Sequence, residues 1–245
     1  MRLAWLFRIL RVLIWVGPLA LAGLLAFALL RPGPEDLPWT PLALDQPIGI
    51  FTGRKLAGLR DDPQQCQALL GSAGLEATAA PPFGEAQCRV TNATRLASGQ
   101  EMLALSPPDV APACPVVAAL AVWNWQVVQP AAQEILGASV ARIEHMGSYS
   151  CRRLYGRSEG AWSEHATANA IDIAAFVLTD GRRISVLSDW AGEGGAEEAA
   201  FLRSVRDGAC QLFSTVLSPD YNRQHQDHFH FDQADRGGMG WGVCR

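Results

Sequence analysis

Three histidines fall within six residues near the C-terminal end of the chain, in the run His225-Gln226-Asp227-His228-Phe229-His230. Alternate side chains of an extended strand share a face, so His228 and His230 would point to one side and the two phenylalanines to the other. Imidazole is a common ligand of zinc and related metals. This clustering indicates a metal site, and a solvated histidine-rich loop is the alternative interpretation.

A carboxylate in a second strand-like segment could supply a further ligand. In Ala170-Ile171-Asp172-Ile173-Ala174, alternation places Asp172 on a face with two alanines, while the isoleucines face a core. An unpaired carboxylate is costly inside a core, so a carboxylate at this position of a strand is better explained by a metal site than by core packing. His165 lies just upstream, in a loop that could fold back over the sheet. No second histidine follows His165 by four residues, so the HExxH helix motif is absent.

The elements that must position these residues follow an α+β pattern. Pro115 suits the first turn of a buried helix that continues to Trp123, and Pro130 should interrupt it. A second helix is predicted over 197–217. Strands are predicted over 140–145, 170–178, 184–187 and 227–232. We therefore expect a small antiparallel sheet with packed helices and the metal site on one sheet face.

The N-terminal end of the chain predicts a membrane anchor. Nineteen uncharged residues run from Val12 to Leu30, enough as a helix to cross a hydrocarbon core of about 30 Å. Arg2, Arg8 and Arg11 precede this run, which predicts a single pass through the inner membrane with the remainder in the periplasm. The alternatives are a cleaved signal peptide, because Ala26-Phe27-Ala28 resembles a cleavage site, and a buried core helix.

Composition divides the chain into an anchor, a spacer and a domain. The net charge is −4 and no basic stripe is visible, which argues against nucleic-acid binding. The proline-rich segment after the anchor is expected to run extended. The predicted parts are a cytoplasmic N-terminus (1–11), a transmembrane anchor (12–30), a proline-rich linker (31–48), a wrapping N-terminal layer (49–110) and the domain that carries the histidines (111–245).

All six cysteines lie beyond the predicted anchor, and no two of them form a CxxC pair. An even number of separated cysteines in an oxidising compartment indicates disulfide bonds, and their spacing does not fit a thiolate zinc cluster. Six cysteines allow fifteen pairings. Our expectation is the pairing of sequence neighbours, Cys66–Cys88, Cys114–Cys151 and Cys210–Cys244.

Several of these segments resemble known families. The run from Ser163 to Asp172 resembles the SxHxxGxAxD motif of the LAS-type zinc peptidases, with Ala168 in place of the motif's glycine. Those enzymes include D,D-carboxypeptidases, D,D-dipeptidases and peptidoglycan endopeptidases, with a relative in the Hedgehog signalling domain. The chain also resembles the bacterial extensin-like C-terminal domain family over roughly residues 60–245, on the segments 147–152, 163–173, 189–190 and 222–230.

The resemblance implies a zinc ion held by His165, Asp172 and His230, with water as the fourth ligand. It also implies a peptidase that cuts peptidoglycan peptides in the periplasm, as a D,D-carboxypeptidase or an endopeptidase. The alternative is a zinc-stabilised cell-wall binding or structural module without activity, as in the Hedgehog relative. An intact general base would favour the enzyme.

Two residues compete for the role of general base. His228 is preferred because it shares a strand face with the last ligand, whereas a regular strand through Asp227 would point that side chain away. The resemblance implies that Arg152 stabilises the carbonyl oxygen of the substrate. It also suggests that Ser163 braces the loop of the first ligand or binds substrate. His225 is a candidate for the wall of the site.

Overall fold

The computed structural model describes residues 2–30, 33–97, 103–237 and 242–245. Residues 31–32 of the predicted linker, 98–102 of the predicted layer and 238–241 of the predicted domain lie outside this range. The helices are α1 (Arg2–Leu30), α2 (Thr52–Gly58), α3 (Pro63–Ser72), α4 (Cys114–Trp123), α5 (Gln129–Ala131), α6 (Val186–Asp189) and α7 (Ala196–Ala209). The strands are β1 (Ala77–Ala79), β2 (Thr94–Leu96), β3 (Leu105–Ser106), β4 (Val140–Gly147), β5 (Ala170–Leu178), β6 (Arg183–Ser185), β7 (Thr215–Leu217), β8 (Phe229–Asp232) and β9 (Val243–Cys244).

The structure contradicts the prediction that the N-terminal helix α1 is a membrane anchor. Within the described ranges, no helix provides a stretch that is both long enough and apolar enough to cross a membrane. The single transmembrane helix predicted over 12–30 is therefore wrong.

Seven described strands form one mixed sheet in the order β3-β4-β5-β8-β7-β9, with β6 pairing the second half of β5. The central pairs are antiparallel, as predicted. The two edge pairs, β3 with β4 and β7 with β9, are parallel, so the prediction of a purely antiparallel sheet is wrong. Parallel neighbours need long connections, which strand patterns do not reveal.

The core lies between one face of the sheet and the helices α4 and α7. All ten residues of α4 are buried, because its surface is apolar on every side. The Trp123 ring packs against Phe176 and Phe231, and its indole N–H donates to the carbonyl of Val205 in α7 at 2.8 Å. This contact fixes the position of the sheet relative to both helices, and so leaves the other face of β5 and β8 for the candidate site.

The helical boundaries differ from the prediction at two points. Pro130 does not interrupt the helical path, because π-helical turns over Asn124–Val128 and Ala132–Leu136 flank it and shift the hydrogen-bond register. The predicted helix over 197–217 ends at Ala209 in the structure. Its last residues form the strand β7, which pairs with β8.

Residues 33–97 pack onto the main domain. Leu44, Leu56 and Leu70 belong to the same buried cluster as α4. Within the predicted linker, Pro34–Asp36 form a 3₁₀ turn, and the Lys55 ammonium of α2 donates to the hydroxyl of Thr40 at 2.9 Å. Burial of apolar residues from both segments makes one continuous core.

Two of the three disulfides connect this N-terminal part to the main domain. The pairs are Cys66–Cys114, Cys88–Cys151 and Cys210–Cys244, and no cysteine is free. Of the expected pairs only Cys210–Cys244 is confirmed; Cys66–Cys88 and Cys114–Cys151 are wrong. Pairing follows distance in the fold, and α3 packs against the start of α4, which brings the first and third cysteines together.

Candidate metal centre

Asp172 and His230 lie directly opposite each other in the antiparallel pair β5–β8. Their sequence neighbours Ile171, Ile173 and Phe229 are fully buried in the core on the other face of the sheet. The alternation predicted for both strands is therefore confirmed. Directly opposite side chains on one face have Cβ atoms about 4.5–5.5 Å apart, so the two strands alone bring these residues into contact.

His165 reaches the same face from a short 3₁₀ turn, Glu164–Thr167. The turn begins with the Ser163 hydroxyl, which accepts a hydrogen bond from the His165 backbone N–H at 3.3 Å. It ends at Ala168, which has a left-handed φ of 54°. A Cβ makes that conformation costly by about 1–2 kcal/mol, which explains why a glycine suits this position of the motif. The predicted bracing role of Ser163 is thus present in the fold.

The three predicted ligands converge on one point. The His165 Nε2 atom lies 3.1 Å from Asp172 Oδ1 and 3.1 Å from His230 Nδ1, and the last two atoms are 3.0 Å apart. Donor atoms held 2.0–2.1 Å from a tetrahedral zinc ion lie about 3.3 Å from one another. The described residues therefore fit a small tetrahedral cation with these three ligands.

The outer nitrogens of both histidines are held by hydrogen bonds that fix which nitrogen faces the cluster. His165 Nδ1 lies 2.9 Å from the carbonyl oxygen of Ser148, which can only accept, so this nitrogen carries the proton. His230 Nε2 lies 3.0 Å from the buried carboxylate of Asp232 and donates to it. In the neutral form of each ring, the inner nitrogen is therefore the one that carries the lone pair, as a metal ligand requires.

The cluster favours the negatively charged form of Asp172 and the positively charged form of His230. Burial by itself would raise the pKa of Asp172, but hydrogen bonds from His165 and His230 hold it well below the usual range. Burial opposes protonation of His230, yet its hydrogen bonds to Asp172 and Asp232 outweigh burial and raise the pKa of His230 to about 9. Without a metal ion the cluster therefore binds a proton at neutral pH, as a site built for a cation does.

Substitution of Asp232 tests the role of the outer hydrogen bond. We expect Asp232→Asn to weaken zinc binding by about 10–100-fold, because the neutral amide supports the donating nitrogen of His230 less strongly. The measurement is a competition titration against a chelator. Asp235→Asn is the matched control, since Asp235 is exposed and pairs with Arg60. Equal affinities of the two variants would contradict the role of Asp232.

The pH dependence of metal binding follows from the proton on His230. Below pH 9 the metal must displace this proton, so the apparent zinc affinity is expected to rise by up to about tenfold per pH unit between pH 7 and 9. Above the pKa of about 9 the proton is already lost and the increase should level off. Chelator competition at pH 7, 8 and 9 measures this, and an affinity independent of pH would contradict it.

The two candidate bases lie beside the cluster and contact each other. His228 Nδ1 is 2.8 Å from Asp227 Oδ1, and His228 Nε2 is 3.6 Å from Asp172 Oδ1. The strand β8 begins only at Phe229, so strand alternation does not extend to Asp227. His228 therefore directs its Nε2 atom toward the cluster, and the Asp227 carboxylate orients the ring through its contact with Nδ1.

The other predicted residues surround this centre. The His225 ring centroid lies 5.3 Å from that of His228 and 6.0 Å from that of His230, so His225 does form a wall of the site. Burial and the neighbouring positive charges lower the pKa of His225 to about 4. The exposed Arg152 is close enough for its charge to add to this effect, and its backbone carbonyl accepts from the Ser163 N–H at 3.1 Å.

Two supporting residues were not predicted from the sequence. Asp232 lies two residues after His230, so the same alternation could have placed it on the ligand face. Asn169 donates to the Glu164 carboxylate at 2.6 Å and to the Gln233 carbonyl at 2.8 Å, which joins the His165 turn to the end of β8. No spacing rule in the sequence indicates this second contact.

The structure defines the class of protein as an α+β domain in which two central strands and one turn hold a cluster of two histidines and one carboxylate. The family model described as the extensin-like protein C-terminus matches residues 64–245, and the chain belongs to that family. The match confirms the predicted membership and covers α3 through β9. No curated protein and no solved structure matches the chain.

Proposed function

We propose that the protein is a zinc-dependent peptidase that cuts peptidoglycan peptides. The observation that carries this proposal is the His228–Asp227 pair beside three converging ligands, because a module that only bound zinc for stability would need no base at its open side. The similarity of the Ser163–Asp172 run to the LAS-type motif supports the reaction class and supplies the substrate class.

The chemistry of the donors favours zinc. Two imidazoles and one carboxylate are a common ligand set of catalytic zinc, and three protein ligands leave a coordination position open. When bound, zinc supplies Lewis-acid polarisation of a carbonyl oxygen and lowers the pKa of water. The inner ring nitrogens of His165 and His230 already face the cluster before any metal binds, which reduces the ordering that binding must impose.

The proton transfers fall to His228. Its Nε2 atom accepts a proton from the water whose oxygen adds to the carbonyl carbon of the scissile amide. It then gives that proton to the amide nitrogen as the carbon–nitrogen bond breaks, which leaves a free amine and a carboxylic acid that loses its own proton to solvent at neutral pH. The Asp227 carboxylate, 2.8 Å from the other ring nitrogen, stabilises the imidazolium between the two transfers.

Arg152 is proposed to help at the carbonyl oxygen. Its guanidinium group lies close enough to His225 for its positive charge to help lower the pKa of His225. The Cys88–Cys151 disulfide holds the residue directly before Arg152. Backbone hydrogen bonds hold the segment on both sides of the disulfide, from Ser163 N–H to the Arg152 carbonyl and from Ser150 N–H to the His165 carbonyl. A cation positioned in this way stabilises the negative charge that develops on the carbonyl oxygen.

We further propose that the protein functions outside the cytoplasm, in the periplasm. All six cysteines are paired, and disulfide bonds of this kind persist in oxidising compartments. Peptidoglycan lies in the same compartment.

Digestion of muropeptides tests the proposed activity. We expect the zinc-loaded protein to convert purified muropeptides to shorter products, detected by mass spectrometry, which also identifies the bond that is cut. A chelator should abolish the conversion and added zinc should restore it. If the protein holds stoichiometric zinc but leaves muropeptides unchanged, the alternative of a zinc-stabilised binding or structural module is supported instead.

A further inference from the structure

Three exposed aromatic side chains lie on segments next to the candidate metal centre. Tyr155, Trp162 and Tyr221, named here the aromatic rim, are exposed by 47 %, 37 % and 41 %. Large aromatic side chains are usually mostly buried, as Trp123 and Phe229 are in this chain. Exposed aromatic groups that cluster next to a site mark a binding surface rather than a core.

The aromatic rim is continuous with the site. The Tyr221 ring centroid lies 5.4 Å from that of His225, which in turn forms the wall next to His228. The hydroxyl groups of Tyr155 and Tyr221 are 3.5 Å apart, so the two loops that carry them meet. Trp162 directly precedes the turn of His165. A ligand bound at the metal centre could therefore extend across the rim.

The rings are held in place before a ligand arrives. The guanidinium carbon of Arg153 lies 4.4 Å from the centroid of the Trp162 ring, and the backbones of these two residues form an antiparallel bridge. The guanidinium carbon of Arg157 lies 5.6 Å from the Tyr155 ring. Cation–π contacts of this kind restrict both partners, so that less side-chain entropy is lost on binding.

The rim is positively charged although the whole chain carries a net charge of −4. Within the described part of the chain, the guanidinium groups of Arg152, Arg153 and Arg157 form no ion pair with a carboxylate. Arg153 Nη1 donates to the Gly160 carbonyl, and the remaining donors are available to an anionic ligand, for which arginine geometry is well suited. Charge complementarity thus favours an acidic ligand over a neutral one.

We propose that the aromatic rim and its arginines bind the acidic glycan part of peptidoglycan beside the metal centre. A pyranose ring offers a flat C–H face that packs on an aromatic ring, hydroxyl groups around its edge and, in a muramic acid unit that carries no stem peptide, a free carboxylate. The rim offers aromatic rings and guanidinium donors that match these groups. The proposal rests on the proposed peptidoglycan substrate, and it makes peptide-free units of the glycan strand a determinant of which neighbouring peptides are presented for cleavage.

A disaccharide without a peptide bond tests the rim separately from hydrolysis. The probe is N-acetylglucosaminyl-N-acetylmuramic acid, titrated into the zinc-loaded protein by calorimetry, with the neutral dimer of N-acetylglucosamine for comparison. We expect saturable binding of the acidic disaccharide and weaker binding of the neutral one. Tyr155→Ala and Trp162→Ala should each weaken binding by about tenfold. Arg157→Gln should weaken binding of the acidic disaccharide alone.

Matched variants show whether a loss is specific. Tyr155→Phe retains the ring and should bind nearly as the unmodified protein does. Trp39→Ala removes a tryptophan that is 72 % exposed in the N-terminal segment, and it should change nothing. Zinc content of Trp162→Ala is measured as well, because this residue adjoins the His165 turn, and it should remain stoichiometric.

The outcomes separate this proposal from the proposed function. If muropeptides are cut but the disaccharide does not bind, or binds the alanine variants as tightly as the unmodified protein, the rim proposal is overturned and the peptidase proposal stands. If the disaccharide binds through the rim but no peptide bond is cut, the peptidase proposal fails and glycan binding stands. Equal binding of the neutral and acidic sugars would overturn the role of the arginines.

Discussion

His230→Ala is expected to reduce zinc affinity by more than about a hundredfold, so that the purified variant holds almost no metal. Loss of a ligand should exceed the 10–100-fold effect typical of residues that only orient a ligand. Two ligand atoms, His165 Nε2 and Asp172 Oδ1 at 3.1 Å, would remain. Elemental analysis of the unmodified protein should give one zinc per chain, and hydrolysis should disappear with the metal.

The variant also leaves Oδ2 of the buried Asp232 without the hydrogen bond from His230, which destabilises the fold. His230→Gln is therefore made in parallel, because its amide can still donate to Asp232 while it binds zinc poorly. His145→Gln is the control, since both ring nitrogens of His145 contact backbone, at Pro107 and Gly147, outside the cluster. Full zinc content in a folded His230 variant would refute the three-ligand site.

His228→Ala is expected to lower kcat by about 10²–10⁴-fold, the usual contribution of a general base, while zinc content stays at one per chain. The physical reason is that His228 faces the cluster but is not among the three converging ligands. Muropeptide turnover and elemental analysis on the same sample measure both quantities. Loss of zinc from this variant would contradict the role of base and make His228 a ligand.

Asp227→Asn distinguishes the two candidate bases. If Asp227 acts by orienting His228 through their 2.8 Å contact, its substitution should lower kcat less than His228→Ala does. If the larger decrease belongs to Asp227→Asn, Asp227 is the base and the assignment of His228 is wrong. Both variants retain the ligands, so metal content should be the same in both.

These two experiments separate binding from catalysis. The cluster depends on three side chains that the sheet and one turn hold rigidly. The proposed activity depends further on His228, which lies just before β8 rather than within it. Metal binding without hydrolysis is therefore the expected result of losing the base, and it would resemble the alternative of a zinc-stabilised module.

Local patterns in the sequence were sufficient for the α+β class and for most strands of the sheet. The strand over 170–178 was predicted with the bounds that the structure has. The faces of β5 and β8 that carry Asp172 and His230 followed from alternation alone, because side chains two residues apart on a strand share a side. The family was also evident from the motifs, and the family model confirms it.

Features that depend on distant parts of the chain were not predictable in this way. Two of the three disulfide pairs were wrong, because the packing of α3 on α4 and not spacing along the chain decides which cysteines meet. The parallel edge strands and the continuation of the helical path through Pro130 were missed for the same reason. The predicted transmembrane helix was wrong as well.

For the metal centre itself, the sequence determined which residue types are present and which face of each strand they occupy. Tertiary structure decided that the His165 turn folds onto that face, that Asp232 and the Ser148 carbonyl orient the two histidines, and that Asp227 contacts His228. Alternation is a property of the local backbone and can be derived from a few residues. The convergence of three nitrogen and oxygen atoms within 3.1 Å depends on how separate segments pack, which no local pattern specifies.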